Sequence, residues 1–191
     1  MNQKGLLVII SGPAGSGKGT IVSRLRELAP FDFSVSATTR SPRPGEQHGV
    51  HYYFVDKADF EKKIEQGEML EYAQYVGNYY GTPRKPVEDA LSAGKNIILD
   101  IEVKGALQIK EKMPEAIMIF VMPPDYETLL ARIRGRGTET EEKILERLSR
   151  AKEEIYSAPD YDYVVYNYDG KDTEAADQIL RIIDAEHAAM R

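Results

Sequence analysis

The sequence contains no cysteine among its 191 residues. Its absence excludes a disulfide scaffold, a thiol nucleophile, cysteine-ligated zinc and iron–sulfur clusters. Long apolar runs are also missing, since the longest cover residues 6–10 and 116–122, well short of the roughly 20 residues that span a bilayer. The N-terminus carries no cleavage pattern of the secretory kind. We therefore expect a soluble protein of the cytoplasm.

Basic residues are fewer than acidic residues. The 25 Lys+Arg and 31 Asp+Glu give a net charge of −6, and the isoelectric point is about 5.2. This balance argues against a protein that coats nucleic acid, although a local basic groove stays compatible with it. Hydrophobic residues at 42% and charged residues at 29% exclude wholesale disorder. The length predicts a single domain, with room for an inserted subdomain.

Short apolar runs alternate with helical stretches along most of the chain. The runs 6–10, 96–100 and 116–122, and a weaker one at 163–166, are typical of strands buried on both faces. Helices are predicted over 20–28, 86–93, 104–112, 125–133, 140–156 and 173–189. This order predicts an α/β fold, a three-layer α/β/α core around a central parallel sheet.

Two segments interrupt this alternation. Residues from about 33 to 80 contain six of the twelve tyrosines, alternating apolar stretches and a Gly77-Asn78 turn. They predict a mixed or antiparallel subdomain at about 34–80, inserted into a core of 1–33 and 81–191. Arginine and glycine alternate over 134–137, where flexible backbone beside positive charge predicts a mobile loop over an anion. We expect a short helical lid over about 134–150.

A glycine-rich loop follows the first apolar run and opens the first predicted helix. It matches G-x-x-x-x-G-K, the phosphate-binding P-loop, with the residues Gly12, Pro13, Ala14, Gly15, Ser16, Gly17 and Lys18. Glycines let successive backbone N–H groups face one anion, and the N-terminus of the following helix adds positive potential. Lys18 reaches the β- and γ-phosphates. The strand–loop–helix context makes this a specific prediction of a nucleoside triphosphate site.

The P-loop departs from its usual pattern at the residue after the lysine. Gly19 stands where a Ser or Thr normally binds Mg²⁺, and Thr20 follows it. Two arrangements stay open, a contact from Thr20 or coordination through water. Asp100 ends an apolar run. In P-loop enzymes an acidic residue at such a position binds Mg²⁺ or the waters around it. Asp100 and the nearby Glu102 are also compatible with a surface or capping role.

The inserted segment offers a second anion site. Arg40 and Arg43 lie three residues apart in a loop stiffened by prolines. This pattern suits bidentate binding of a phosphate monoester, and it is also typical of a solvated basic turn. The hydroxyls of Tyr52 and Tyr80 can complete such a site or belong to the packing of a small sheet.

Taken in order, these motifs resemble those of the guanylate kinases. The likeness runs almost end to end from Gly5, and the segments that carry it are 11–20, 34–43, 77–82, 99–102 and 136–142. Five motifs in the same order are far more specific than any one of them. The resemblance implies a kinase that transfers the γ-phosphoryl group of Mg·ATP to GMP, and to dGMP, in purine nucleotide metabolism.

The resemblance also implies a role for each matching position. The phosphate of GMP is expected to contact Arg40, Arg43, Tyr52 and Tyr80. The guanine is expected to contact Ser36, Glu71, Thr82 and Glu102. Carboxylates suit guanine because its N1–H and N2–H₂ groups are donors that adenine lacks. ATP is expected to bind residues 12–20 of the P-loop together with Arg132, Arg136 and Asn167, the last near the adenine. The catalytic set implied is Lys18, Arg40, Asp100, Arg132, Arg136 and Arg147, with Mg²⁺ at Thr20 and Asp100.

Two other functions stay open on the sequence alone. Guanylate-kinase-like domains of scaffold proteins use the GMP site for peptides, but their nucleotide loops are degraded, whereas Lys18 and its glycines are intact here. A kinase for AMP or dTMP would share the end of the P-loop but does not account for Glu71 with Glu102. The sequence predicts no nucleic-acid or membrane partner and leaves a homo-oligomer open.

Overall fold

The computed structural model describes residues 4–29, 31–135 and 140–189. In chain order they form β1 (Leu7–Ser11), α1 (Lys18–Leu28), β2 (Asp32–Phe33), β3 (Ala37–Thr38), β4 (Tyr53–Phe54), α2 (Lys57–Glu65), β5 (Met69–Tyr75), β6 (Asn78–Pro83), α3 (Arg84–Ser92), β7 (Ile97–Asp100), α4 (Val103–Lys112), β8 (Ile117–Met122), α5 (Tyr126–Arg134), α6 (Glu141–Ile155), a 3₁₀ turn (Ala158–Asp160), β9 (Tyr163–Tyr166) and α7 (Asp172–Ala189). Parallel strands alternate with helices, which confirms the predicted α/β class. None of the helices in these ranges is both long and apolar enough to cross a membrane.

The chain folds into two compact units. Unit 1 comprises the described parts of Met1–Leu7, Asp32–Leu99 and Lys104–Ala116. Unit 2 comprises the described parts of Val8–Phe31, Asp100–Val103 and Ile117–Arg191. The segment predicted as an insertion, residues 34–80, lies within unit 1.

Unit 2 is built on parallel strands. β8 pairs with β1 on one side and with β9 on the other, with Ser11 opposite Phe120 and Met122 opposite Tyr166. β1 is buried along its whole length, as is β8 up to Val121. Burial on both faces is why these strands have continuous apolar sequences. Because the strands are parallel, their carboxyl ends lie at one edge.

Three connections of unit 2 meet at that edge. The P-loop follows β1. The N–H of Ile101 donates to the carbonyl of Ile10 at 3.3 Å, and the Ser11 hydroxyl donates to the carbonyl of Ile101 at 2.9 Å. The N–H of Asn167, just after β9, donates to the carbonyl of Met122 at 2.9 Å. Ligands of open α/β sheets bind at this edge of the strands.

Unit 1 contains a four-stranded sheet in the order β4-β3-β6-β5. β6 is antiparallel to both β3 and β5, while β3 and β4 are parallel, so the sheet is mixed. The turn between β5 and β6 holds Val76 at φ 47°, a left-handed conformation that is costly for a β-branched residue. β5 and β6 carry several of the predicted GMP contacts.

Helix α2 of unit 1 is absent from the sequence prediction, which placed only strands in this segment. Asp56 caps the helix by accepting a hydrogen bond from the N–H of Asp59 at 2.8 Å. Phe60 is fully buried and forms a hydrophobic cluster with Ala37 of β3 and Met69 of β5. The aspartate cap and the burial of one apolar face therefore both stabilise this short helix among strands.

Candidate active site

The P-loop packs tightly against its own sheet. An ideal Cβ built on Gly12 collides with the carbonyl oxygen of Val121 in β8, and one built on Gly17 collides with the side-chain amide nitrogen of Asn167. Gly17 also has φ +82° and serves as the N-cap of α1. These two positions therefore require glycine for reasons of packing and backbone conformation.

Arg132 and Asn167 both hold the backbone of the P-loop. The side chain of Asn167 donates to the carbonyl of Ser16 at 2.9 Å. The guanidinium of Arg132 donates to the same carbonyl at 3.2 Å, to the carbonyl of Asn167 at 2.9 Å and to Asp169 at 2.6 Å. The sequence predicts both residues as ATP contacts, and the bonds to the loop itself are an addition to that prediction.

The amide oxygen of Asn167 has unused hydrogen-bonding capacity. The residue is 5% exposed. Its side-chain oxygen is buried and accepts no hydrogen bond from the part of the chain that the structure describes. A buried acceptor without a donor is costly, so this oxygen is suited to a donor on a ligand.

Lys18 and Asp100 form an ion pair in unit 2. The side chains are 21% and 34% exposed, respectively, so solvent and a ligand can both reach them. Lys18 begins α1 and Asp100 ends β7, which places a cation and a carboxylate at the carboxyl ends of the parallel strands. Phosphoryl transfer uses a lysine to contact the phosphates and a carboxylate to bind the metal ion, and this pair supplies one of each.

The side-chain oxygen atoms near the P-loop are suitable ligands for Mg²⁺. Among the described residues, no atom beyond the adjoining residues and the backbone of α1 lies within 4 Å of an ideal Cβ on Gly19, so crowding by other elements does not explain the missing hydroxyl. Thr20 is exposed in the first turn of α1. No group of three or more potential ligand side chains occurs among the described residues. Mg²⁺ needs no such group, because it is commonly bound by one or two carboxylates together with substrate phosphates and waters, and Asp100 fits that role.

Glu102 pairs with an arginine that the sequence analysis did not single out. Arg150 of α6 donates to Glu102 at 2.5 Å and to Glu154 at 3.1 Å. Burial raises the pKa of Glu154, and Arg150 opposes that shift. Arg147, predicted as a lid residue, is half-buried on the same helix. Arg136 lies outside the described residues.

The predicted phosphate site of unit 1 is organised around Arg40. Its guanidinium forms a bidentate pair with Glu46, at 2.8 and 2.9 Å, and lies 5.4 Å from the ring centre of Tyr52 and 5.8 Å from that of Phe54. The backbone N–H of Arg43 also donates to Glu46, at 2.7 Å. Sequence reasoning missed Glu46, although an acidic residue three positions after Arg43 in the same loop was a usable indication.

The charges in this cluster are strongly stabilised. Arg40 lowers the pKa of Glu46 to about 2, with a further contribution from the Arg43 N–H. The pKa of Arg40 is raised by Glu46 and, less strongly, by Tyr80. The rings of Tyr52 and Tyr80 meet edge to face with centres 6.1 Å apart. The structure thus brings Arg40, Tyr52 and Tyr80 together, with Arg43 exposed in the adjoining loop.

Glu71 and Thr82 form a buried polar pair on neighbouring strands. They are directly opposite in the β5–β6 register, and the Thr82 hydroxyl donates to a Glu71 carboxylate oxygen at 2.7 Å. The two residues are 6% and 0% exposed, respectively. Ser36, also in unit 1, is half-buried, and its carbonyl accepts a hydrogen bond from Tyr53 at 2.8 Å. A carboxylate this well buried is expected to have a specific partner.

Unit 2, with its strand, P-loop and helix and its lysine–aspartate pair, defines a P-loop nucleotide-binding protein of the α/β class. The family model described as guanylate kinase matches residues 4–186. The chain therefore belongs to the guanylate kinase family.

Individual relatives agree with this assignment. The chain is 56% identical to a guanylate kinase of Halalkalibacterium halodurans over 80% of its own length and 76% of the relative's. It is 49% identical to a guanylate kinase of Lactobacillus acidophilus over 100% of its length and 94% of the relative's. The crystal structure of guanylate kinase from Anaplasma phagocytophilum superposes with a TM-score of 0.77 at 36% identity, covering 96% of this chain and 87% of that one.

Proposed function

We propose that this protein transfers the γ-phosphoryl group of Mg·ATP to GMP, giving ADP and GDP. The observation that carries the proposal is Lys18, which begins α1 after an intact P-loop and is paired with Asp100. These groups have no evident use in a protein that only binds peptides. Membership of the guanylate kinase family supports GMP as the acceptor.

ATP binds to unit 2 in this proposal. The backbone N–H groups of the P-loop surround the β- and γ-phosphates, and Lys18 contacts them as a point charge. Arg132 keeps the loop in shape through its bonds to the carbonyls of Ser16 and Asn167. The buried amide oxygen of Asn167 accepts a hydrogen bond from the amino group of adenine, which supplies the missing donor.

Most of the GMP contacts in this proposal are residues of unit 1. The Arg40 cluster, with Arg43, Tyr52 and Tyr80, holds the phosphate monoester. The guanine donors bind Glu71, supported by Thr82, while Ser36 and Glu102 complete the recognition of the base. AMP is rejected because adenine has no N1–H or N2–H₂ donors to offer the buried Glu71 carboxylate. We include dGMP in the proposal as a second acceptor.

The transfer is a direct displacement. A phosphate oxygen of GMP attacks the γ-phosphorus of ATP, while the bond from that phosphorus to the β–γ bridging oxygen breaks and ADP leaves. Lys18 and the arginines Arg132, Arg136 and Arg147 stabilise the charge on the transferring group. Arg40 orients the attacking phosphate. Asp100 and Thr20 would hold Mg²⁺, directly or through water, and the bound ion would supply neutralisation of phosphate charge.

The organisation of the chain is part of the proposal. Residues 34–80 act as a GMP-binding subdomain, and residues 134–150 act as a lid that excludes water from the transferring phosphoryl group. The enzyme works in the cytoplasm, where both nucleotides are present.

An assay of ADP release tests the proposal. Mg·ATP is supplied with GMP, dGMP, AMP, CMP, UMP or dTMP separately, and Lys18→Met serves as the control for contaminating kinases. ADP is expected with GMP and dGMP alone, and the control should abolish it. Turnover of another monophosphate would overturn the assignment of the base. ATP binding without any turnover would favour the binding-module interpretation.

A further inference from the structure

Strand β5 is an edge strand of the four-stranded sheet, and helix α4 satisfies its outer backbone groups. The side-chain amide of Gln108 both accepts from the N–H of Tyr72, at 3.3 Å, and donates to its carbonyl, at 3.2 Å. Lys112 donates to the carbonyl of Leu70 at 2.5 Å. Two side chains of one helix thus replace the neighbouring strand that β5 lacks on this side.

The two anchored residues, Leu70 and Tyr72, flank Glu71. Its carboxylate lies directly over Gly105, the residue one turn before Gln108 in α4. An ideal Cβ on Gly105 would be 2.6 Å from Oε2 of Glu71 and 3.0 Å from its carboxylate carbon. Any side chain at position 105 would therefore occupy the space that the carboxylate fills.

The position of the Glu71 carboxylate is consequently determined from two sides. One oxygen accepts the hydrogen bond from Thr82 at 2.7 Å, and the other lies against the bare backbone of Gly105. Positions 105, 108 and 112 are spaced i, i+3 and i+7, so they share one face of the helix. The face of α4 that anchors β5 therefore also limits how closely the Glu71 carboxylate can approach the helix.

We propose that Gly105 is a specificity-determining position of this kinase and that Gln108 is a positioning residue. Both act through Glu71, so this inference rests on the proposed role of Glu71 in binding guanine. Gly105 lets the carboxylate sit where it can accept from the N1–H and N2–H₂ groups of the base. Gln108 holds the strand that carries it.

The variant Gly105→Ala isolates this effect from folding. The added Cβ meets the far end of a flexible side chain and not backbone, so the carboxylate moves and the helix does not. To reach an ordinary contact distance of 3.4 Å, Oε2 must shift by about 0.8 Å. Alanine is also a better helix former than glycine. The gain in helix propensity offsets part of the cost of disturbing the Thr82 bond, so the melting temperature of the variant should change by only a few degrees.

The experiment measures KM and kcat with GMP, ATP and IMP, which lacks the 2-amino group of guanine. Gly105→Ala should raise the KM for GMP by roughly tenfold or more, since bonds to a charged acceptor are weakened. The KM for ATP should stay unchanged, and the preference for GMP over IMP should fall. Gln108→Met should raise the KM for GMP less strongly. Glu111→Ala, on the exposed side of the same helix, is the matched control and should change neither KM.

A second set of outcomes separates this proposal from the one on which it rests. The KM for GMP of Glu71→Gln provides the reference. If Glu71→Gln raises that KM strongly while Gly105→Ala and Gln108→Met leave it within twofold, the role of α4 is refuted and the GMP site stands. If Glu71→Gln itself leaves it within twofold, the guanine role of Glu71 is refuted and the present proposal falls with it. Equal rises of the KM for GMP and for ATP in Gly105→Ala, with a melting temperature lowered by more than a few degrees, would indicate a purely structural glycine.

Discussion

Replacing Arg132 with methionine should lower the stability of the protein itself, because its guanidinium bonds to protein groups. The two hydrogen bonds to the carbonyls of Ser16 and Asn167, at 3.2 and 2.9 Å, contribute about 1 kcal/mol each. The pair with Asp169 adds less than about 1 kcal/mol, since that carboxylate is 79% exposed. Their sum is about 2–3 kcal/mol, which corresponds to a fall in melting temperature of about 5–10 °C for a chain of this size.

Thermal unfolding without nucleotide, followed by circular dichroism, measures this effect. Kinetic assays should show a larger rise in the KM for ATP than in that for GMP, because a loosened P-loop binds phosphates less well. Arg84→Met is the matched control. Its guanidinium also bonds a backbone carbonyl, that of Gly67 at 2.9 Å, and an exposed carboxylate, Glu88. The control should lose about 1 kcal/mol and leave the KM for ATP unchanged.

One result would refute the reasoning on Arg132. If Arg132→Met melts within about 1 °C of the wild type without nucleotide while kcat falls, the guanidinium does not hold the P-loop in solution. It would then act on the phosphates alone, as the resemblance to the family implies.

Three further predictions concern single groups. Lys18→Ala should lower kcat by orders of magnitude while calorimetry still detects GMP binding, and unchanged turnover would remove Lys18 from the mechanism. The pKa of Glu46, about 2 against its ordinary 4.5, means that its pair with Arg40 stabilises the fold above about pH 4.5 and is lost as the pH falls toward 2. The difference in melting temperature between wild type and Glu46→Gln should therefore be constant from pH 5 to 8 and shrink below pH 4, whereas a constant difference at low pH would contradict the ion pair. Asp125 caps α5 by accepting from the N–H of Thr128 at 2.7 Å, so Asp125→Ala should cost about 1 kcal/mol in urea unfolding, and no loss would show that the cap is not needed.

The sequence was sufficient to predict features that depend on neighbouring residues. The P-loop lies between a buried strand and a helix because the apolar run before it and the helix after it are continuous in the chain. The position of Asp100 at the end of β7 follows from the same logic, since an apolar run that stops at an acid marks the end of a strand. The parallel sheet follows from the order of such runs.

The sequence was not sufficient where distant residues meet. Gly105 and Glu71 are 34 positions apart, and neither helical nor strand periodicity relates one to the other. The bonds of Arg132 to Ser16 likewise depend on how α5 packs beside the P-loop. The pair of Arg40 with Glu46 is local, but a proline- and glycine-containing loop has no periodicity from which to predict which side chains face each other.

The tight packing of Gly12 and Gly17 has a consequence for the choice of variants of this protein. Both glycines are required by the protein's own atoms, the carbonyl of Val121 and the amide of Asn167, before any phosphate is considered. A larger residue at either position would disturb the packing of the P-loop, whereas replacing Lys18 removes an ion pair with Asp100 whose side chains are 21% and 34% exposed. The two glycines thus serve the architecture of the P-loop, and the lysine serves its chemistry. For the same reason, an inactive but well-folded version of this enzyme is better made at Lys18 than at either glycine.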